Sequence, residues 1–200
     1  MSARIFIWVG HPRSTSLSKG MADAYQAAAE ATGAEVRRID LDDMHFDPDL
    51  EEGYHARKTL EPCLEQWREH TLWANHLVWA YPQWWGGMPA KMKGVIDRSF
   101  LPGFAMRYHE KGPWWDRLLA GRSADIIMTS DAPVLWDSLS YRRTAKHQVE
   151  RTVLNFAGIK PFRTFQFGPV KTASQSQVDK WLARVTQRGT RMARLLSAKS

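Results

Sequence analysis

Apolar residues follow two rhythms along this chain. Three short, nearly continuous runs, Arg4 to Gly10 (R-I-F-I-W-V-G), Leu77 to Tyr81 (L-V-W-A-Y) and Ala124 to Ser130 (A-D-I-I-M-T-S), have the pattern of strands buried on both faces of a parallel sheet. Glu35 to Leu41 (E-V-R-R-I-D-L) alternates and predicts a weaker, edge-like strand, and Arg163 to Phe167 predicts a fifth. The second rhythm is helical. Leu17, Met21, Ala24, Tyr25, Ala28 and Ala31 keep helical spacing up to a stop at Gly33, and Leu64, Trp67, Thr71 and Ala74 predict a helix over 62–76. Pro89 can open a helix running to Phe100, because the N–H that proline lacks is unpaired in a first turn anyway. Further helices are predicted over Ser140 to Phe156 and over Ser174 to Leu196, the last with Val178, Trp181, Leu182, Val185, Met192 and Leu195 on its apolar side. The acidic, aromatic connection containing Pro48 and Gly53, and the Gly-, Pro- and Trp-rich segment 101–123, keep neither rhythm and predict irregular chain.

Strands alternating with helices predict an α/β fold, because parallel strands need crossovers and right-handed crossovers put helices on both faces of the sheet. For five strands the common doubly wound order is 2-1-3-4-5, whose switch point lies between the first and third strands, and ligands settle there beyond the carboxyl ends. Chemistry is therefore expected in the loops after the first, third and fourth strands.

Composition changes this picture little. Two hundred residues with 44% hydrophobic side chains predict one domain over 1–200. No signal peptide or membrane span is read, and one cysteine, Cys63, forms no intramolecular disulfide, so a cytoplasmic protein is expected. A formal net charge of +7 raises nucleic acid or an acidic membrane as partners. Lys180, Arg184, Arg188, Arg191, Arg194 and Lys199, however, are interleaved with apolar positions on the last helix, as on a solvated face, and no nucleic-acid motif accompanies them. We expect no nucleic acid. The histidines at 45, 55, 70, 76 and 109 show no metal-ligand pairing, and no metal is expected.

The three loops are unusual in different ways. His11-Pro12-Arg13-Ser14-Thr15-Ser16 offers hydroxyls, a cation and an imidazole just before a helix, where free amides and the helix dipole favour an anion; a plain helix cap at Ser14 or Ser16 would use the same residues. It lacks the glycine spacing of a dinucleotide fold and the lysine of a P-loop. Tyr81-Pro82-Gln83-Trp84-Trp85-Gly86-Gly87-Met88-Pro89 places flat side chains beside it, although an aromatic patch at a subunit contact reads alike. Thr129-Ser130-Asp131-Ala132-Pro133 adds hydroxyls and a carboxylate, which a simple turn also uses. Together they fit an anion-tailed, planar cofactor.

The second loop and its helix, Y-P-Q-W-W-G-G-M-P-A-K-M-K-G-V-I-D-R-S-F-L-P-G-F-A-M, resemble the signature of the flavodoxin-like NAD(P)H:quinone oxidoreductases, which include flavoproteins ancillary to bacterial potassium-efflux systems. His11, Pro12 and Ser16 match that family's first loop. By position, the resemblance implies that His11, Ser16, Leu17 and Ser18 hold the flavin phosphate and its neighbouring chain. Pro82, Gln83, Trp84, Trp85 and Gly86 form the isoalloxazine wall, and Thr129 and Ser130 contact its pyrimidine end. The chain departs from the family in two places. It reads T-S-D-A-P where T-T-G-G is usual, which makes Asp131 a less favoured contact, and Gly86 stands where relatives often carry an aromatic ring. We expect a roomier acceptor slot there, filled from Trp114, Trp115 or Trp136. Some relatives use a Tyr and a His at the flavin; Tyr141 and His147 have a suggestive separation but a different distance to the next strand, so no catalytic residue is assigned.

The resemblance implies FMN or FAD as tightly bound flavin, NADPH or NADH as hydride donor, and a quinone or similar flat acceptor reduced by a ping-pong cycle. It also implies a homodimer, for which 101–123 with Phe104, Met106 and Trp114 is the candidate interface. The alternatives are a flavin-bearing regulatory subunit peripherally associated with a membrane transporter, and a one-electron carrier of flavodoxin type, which the basic charge disfavours.

Overall fold

A computed structural model describes residues 3–198. Strands β1 (Arg4–Val9), β2 (Glu35–Asp40) and β3 (His76–Pro82) alternate with helices α1 (Leu17–Glu30), α2 (Pro62–Trp73) and α3 (Ala90–Ser99). A short hairpin, β4 (Met106–Tyr108) and β5 (Trp115–Arg117), precedes β6 (Ser123–Thr129). Helices α4 (Val134–Leu139), α5 (Thr144–His147) and α6 (Asn155–Ala157), strand β7 (Phe162–Phe167) and helix α7 (Gln175–Ser197) complete the chain. The central sheet is parallel, in the order β2-β1-β3-β6-β7. With the hairpin set aside this is the predicted 2-1-3-4-5 order.

Strand alternation explains the two layers. From β1, Phe6 and Trp8 enter a core with Trp67 of α2, Trp79 of β3 and Met92 of α3, where the Trp8 and Trp79 rings meet edge to face at 5.2 Å. Ile5, Ile7 and Val9 enter the opposite core with Tyr25 of α1 and Val185 of α7. Helices α1 and α7 approach so closely that a Cβ on Gly189 would stand 2.6 Å from the Tyr25 carbonyl oxygen, which only glycine permits. Among the described residues no helix is long and apolar enough to cross a membrane.

Two predicted segments are corrected. The helix expected over Ser140 to Phe156 starts earlier and is interrupted. Pro133, with its fixed φ, leads into α4, and Arg142 and Arg143 then both take left-handed backbone, at φ 51° and 56°. Helical chain resumes as α5 and continues as a π-helical stretch over Gln148–Leu154 into α6. Segment 101–123, expected to be irregular, contains the hairpin, whose three-residue strands are too short to show a period. Phe104 and Met106, expected at an interface, are buried in their own chain; Phe104 packs on Phe100 and under Arg68. Trp114 alone of the three is exposed, at 68%.

The basic face of α7 is only partly solvated. Lys180, Arg184, Arg191 and Arg194 are exposed, whereas Arg188 turns inward and grips both Asp125 oxygens at 2.8 Å. Lys199 lies outside the described residues.

Candidate active site

A cleft of about 1100 Å³ opens beyond the carboxyl ends of β1, β3 and β6, where the topology places it. Small-molecule clefts run to roughly 300–1,000 Å³, so this one stands just above that range. All eleven expected binding residues line it: His11, Ser16, Leu17 and Ser18 from the first loop, Pro82 through Gly86 from the second, and Thr129 with Ser130 from the third.

The first loop is at once a helix cap and an anion-favouring corner. Ser16 caps α1, its Oγ accepting from the Lys19 amide at 3.2 Å, while the amides of Leu17 and Ser18 have no carbonyl of their own helix to bond. An anion placed there would meet amides, the helix dipole and Arg13. Arg13 lines the cleft, with its Nε donating to the Thr15 carbonyl at 2.7 Å. The His11 ring accepts from the Arg13 amide at 3.1 Å and meets Trp84 edge to face. Burial, and then the Arg13 charge, hold the His11 imidazole below its ordinary pKa, so the ring favours its neutral form. Ser18 also joins the first and third loops, because its hydroxyl bonds that of Thr129 at 3.1 Å, both buried.

The second loop is a tight reversal. The Trp84 amide donates to the Gly87 carbonyl at 2.9 Å, the Gly87 amide returns to Trp84 at 3.0 Å, and the central Trp85 and Gly86 have φ of 50° and 74°. That is the type I′ geometry, which favours glycine, asparagine and aspartate at both positions. Trp85 therefore occupies a strained left-handed position with its ring fully in solvent. At Gly86 a Cβ would stand 3.1 Å from the Thr144 hydroxyl oxygen. The three tryptophans expected to fill the slot are elsewhere. Trp114 is on the hairpin, Trp115 stacks on Phe156 at 4.4 Å, and Trp136 lies on α4, 55% exposed. Tyr141 and Thr144 line that side instead, brought there by the Arg142–Arg143 break.

The third loop is tied to its neighbours. The Gln83 amide donates to the Thr129 carbonyl at 2.7 Å, the Ser130 amide to Phe167, and the Val170 amide to Ser130. Asp131 reaches the cleft, with Oδ1 accepting from the Lys171 amide at 3.1 Å. Beyond the expected residues, Arg13, Asp131, Tyr141, Thr144 and Val170 also line the cleft. Arg13 and Asp131 stand within the loops already singled out. Val170 has no sequence signal, because it follows the fifth strand of the sheet. His147 does not line the cleft, and its buried Nδ1 has no hydrogen-bond partner among the described residues. A carboxylate cluster at Asp40, Asp42 and Asp43 is neutralised in part by Lys19 and Arg38, which bond Asp40 at 2.8 and 2.5 Å.

The cleft thus joins an anion-favouring helix start to a wall of flat side chains, on a doubly wound sheet. Residues 3–188 match the family model described as flavodoxin-like fold. The chain belongs to the flavodoxin-like NAD(P)H:quinone oxidoreductase family. It is 32% identical over 135 residues to the uncharacterised NAD(P)H oxidoreductase YcaK of Escherichia coli K12, covering 63% of this chain and 69% of that one. To the FMN-dependent NADH:quinone oxidoreductase of Ruegeria pomeroyi it is 30% identical over 138 residues, covering 61% and 67%. The crystal structure of Smu.1420 from Streptococcus mutans UA159 superposes with a TM-score of 0.82 at 30% identity, over 94% of this chain and 99% of that one.

Proposed function

We propose that this chain is a flavin-dependent NAD(P)H oxidoreductase that reduces quinones or related flat electrophiles. The observation that carries this reading is the junction, in one cleft, of an anion-favouring helix start with a flat aromatic wall. The donor set fits a flavin: the α1 amides, Arg13 and the Ser16 region suit its phosphate, and Pro82 to Gly86 suit its ring. Bound there, a flavin supplies two-electron chemistry, taking a hydride from NAD(P)H and passing reducing equivalents to the acceptor. The chain's residues bind and orient. Arg13 and the helix start neutralise the phosphate, Gln83 and Thr129 lock the second loop against the third, and the open side near Trp85 and Tyr141 admits donor and acceptor in turn, as a ping-pong cycle requires.

FMN is favoured over FAD, because the relatives named for their flavin are FMN-dependent. A homodimer is part of the proposal, with the hairpin carrying the exposed Trp114 as the face a second copy would cover. The test is anaerobic absorbance of the FMN-loaded protein. NADH or NADPH should bleach the flavin, and benzoquinone should restore it within the mixing time. Flavin that stays oxidised with both donors contradicts the proposal.

A further inference from the structure

The third loop runs through Pro133 into α4. Helix α4 starts at Val134 and holds Asp137 behind the cleft wall, against Gln83. Asp137 is fully buried, 0% exposed. Its Oδ1 accepts from Gln83 Nε2 at 2.7 Å, and its Oδ2 accepts from Gln166 Nε2 at 3.2 Å. The same Gln166 nitrogen reaches Gln83 Oε1 at 3.2 Å. Among the described residues no cation forms an ion pair with Asp137.

This arrangement is costly for a group that only fills space, because a buried charge without a counter-ion is expensive and two neutral amides offset it only in part. It has two consequences. A carboxylate using both oxygens only accepts, so both glutamine amides must turn their NH₂ groups toward it. Gln83, whose own amide is bonded to Thr129, is thereby held by side chain and backbone together, and the second loop is pinned. The second consequence is electrostatic. A negative charge in a poorly solvated place opposes electron gain nearby, and along this hydrogen-bond path Gln83 is the side chain that stands between Asp137 and the cleft.

We infer that Asp137 is a positioning residue that pins the Pro82–Gly86 loop through Gln83, and that its charge makes the reduced flavin a stronger reductant by favouring the oxidised form. The inference deepens the flavin reading and rests on it. The experiment compares the full chain with Asp137→Asn by two readouts. In the flavin-free protein, amide exchange over 83–87 should be about tenfold faster in the variant, because one of its two amide contacts is lost. In FMN-loaded protein, affinity for reduced relative to oxidised FMN should rise by about tenfold, a positive shift of about 30 mV in the two-electron potential. Trp136→Ala, an exposed change on the same helix, should alter neither.

Unchanged exchange overturns the pinning, and an unchanged affinity ratio overturns the electrostatic role. If Asp137→Asn does not fold, Gln166→Lys sets an ammonium against the intact carboxylate and must shift the ratio in the same direction; no shift overturns the electrostatic role. Failure of the unmodified chain to bind FMN removes the flavin reading and the electrostatic half with it, while the exchange result still decides the pinning.

Discussion

At the start of β3 and β6, polar chemistry is closed on itself; at their ends, it is left open. His76 and Asp125 are fully buried at the closed end. Asp125 accepts from the Tyr25 hydroxyl at 2.9 Å and from Arg188 at two positions, and His76 bonds Ser123 and Tyr25. At the open end, Arg13, Asp131 and the first-turn amides of α1 face a cleft. The closed end is built for stability and the open end for a ligand, so changes at the two ends should separate cleanly in experiment.

The largest effect is expected at the closed end. Asp125→Ala leaves Arg188 and Tyr25 without their partner and should cost about 3–5 kcal/mol in urea unfolding, while FMN affinity of the folded protein stays the same. Acid should act at the same place. Burial alone would raise the Asp125 pKa, but hydrogen bonds and charge from His76 and Arg188 outweigh it and lower the value to about 2. A carboxylate depressed from 3.8 stabilises the fold fully above that value and loses its contribution as pH falls through about 2. Unfolding midpoints measured from pH 5 to pH 2 should therefore fall steeply in the parent and hardly at all, from this source, in Asp125→Ala.

At the open end the order reverses. Arg13→Ala should weaken FMN binding by about tenfold or more, as expected for a charge-assisted contact, with thermal stability unchanged; equal FMN affinity would remove Arg13 from the cradle. Ser18→Ala, also at the open end, should have both kinds of effect, because Ser18 bonds the buried Thr129 and lines the cleft. It should cost about 1 kcal/mol in stability and also weaken FMN binding. The smallest effect is at the turn, where Trp85→Asn relieves a left-handed aromatic residue and should raise stability by roughly 1 kcal/mol; a loss of stability would show that the Trp85 ring is held by something else.

Much of this is legible in the chain itself, for physical reasons. Buried parallel strands such as L-V-W-A-Y and A-D-I-I-M-T-S announce themselves by continuous apolarity, and their order follows from crossover handedness, so the switch point and its three loops can be located before any geometry. The eleven expected residues meet in one cleft because topology alone brings those loops together. What escapes depends on contacts between distant segments. Nothing local in Y-R-R-T marks two left-handed arginines, because arginine has no preference for that backbone, so the spacing predicts one continuous helix and leaves Tyr141 and Thr144 away from the slot. Asp137 reads as the end of a loop, since its partners Gln83 and Gln166 lie 54 and 29 residues away. The burial of Phe104 and Met106 likewise needs the hairpin, which is too short to have a period.

The proposed function stands on a phosphate cradle, formed by the first loop and the start of α1 and joined to a flat wall. The most direct measurement is a fluorescence titration of the purified chain with FMN and with riboflavin, which has the same ring and no phosphate. FMN should bind saturably at one per chain, and riboflavin should bind more weakly by about tenfold or more. Equal affinity for the two would contradict the cradle, and no binding of either would contradict the flavin site as a whole.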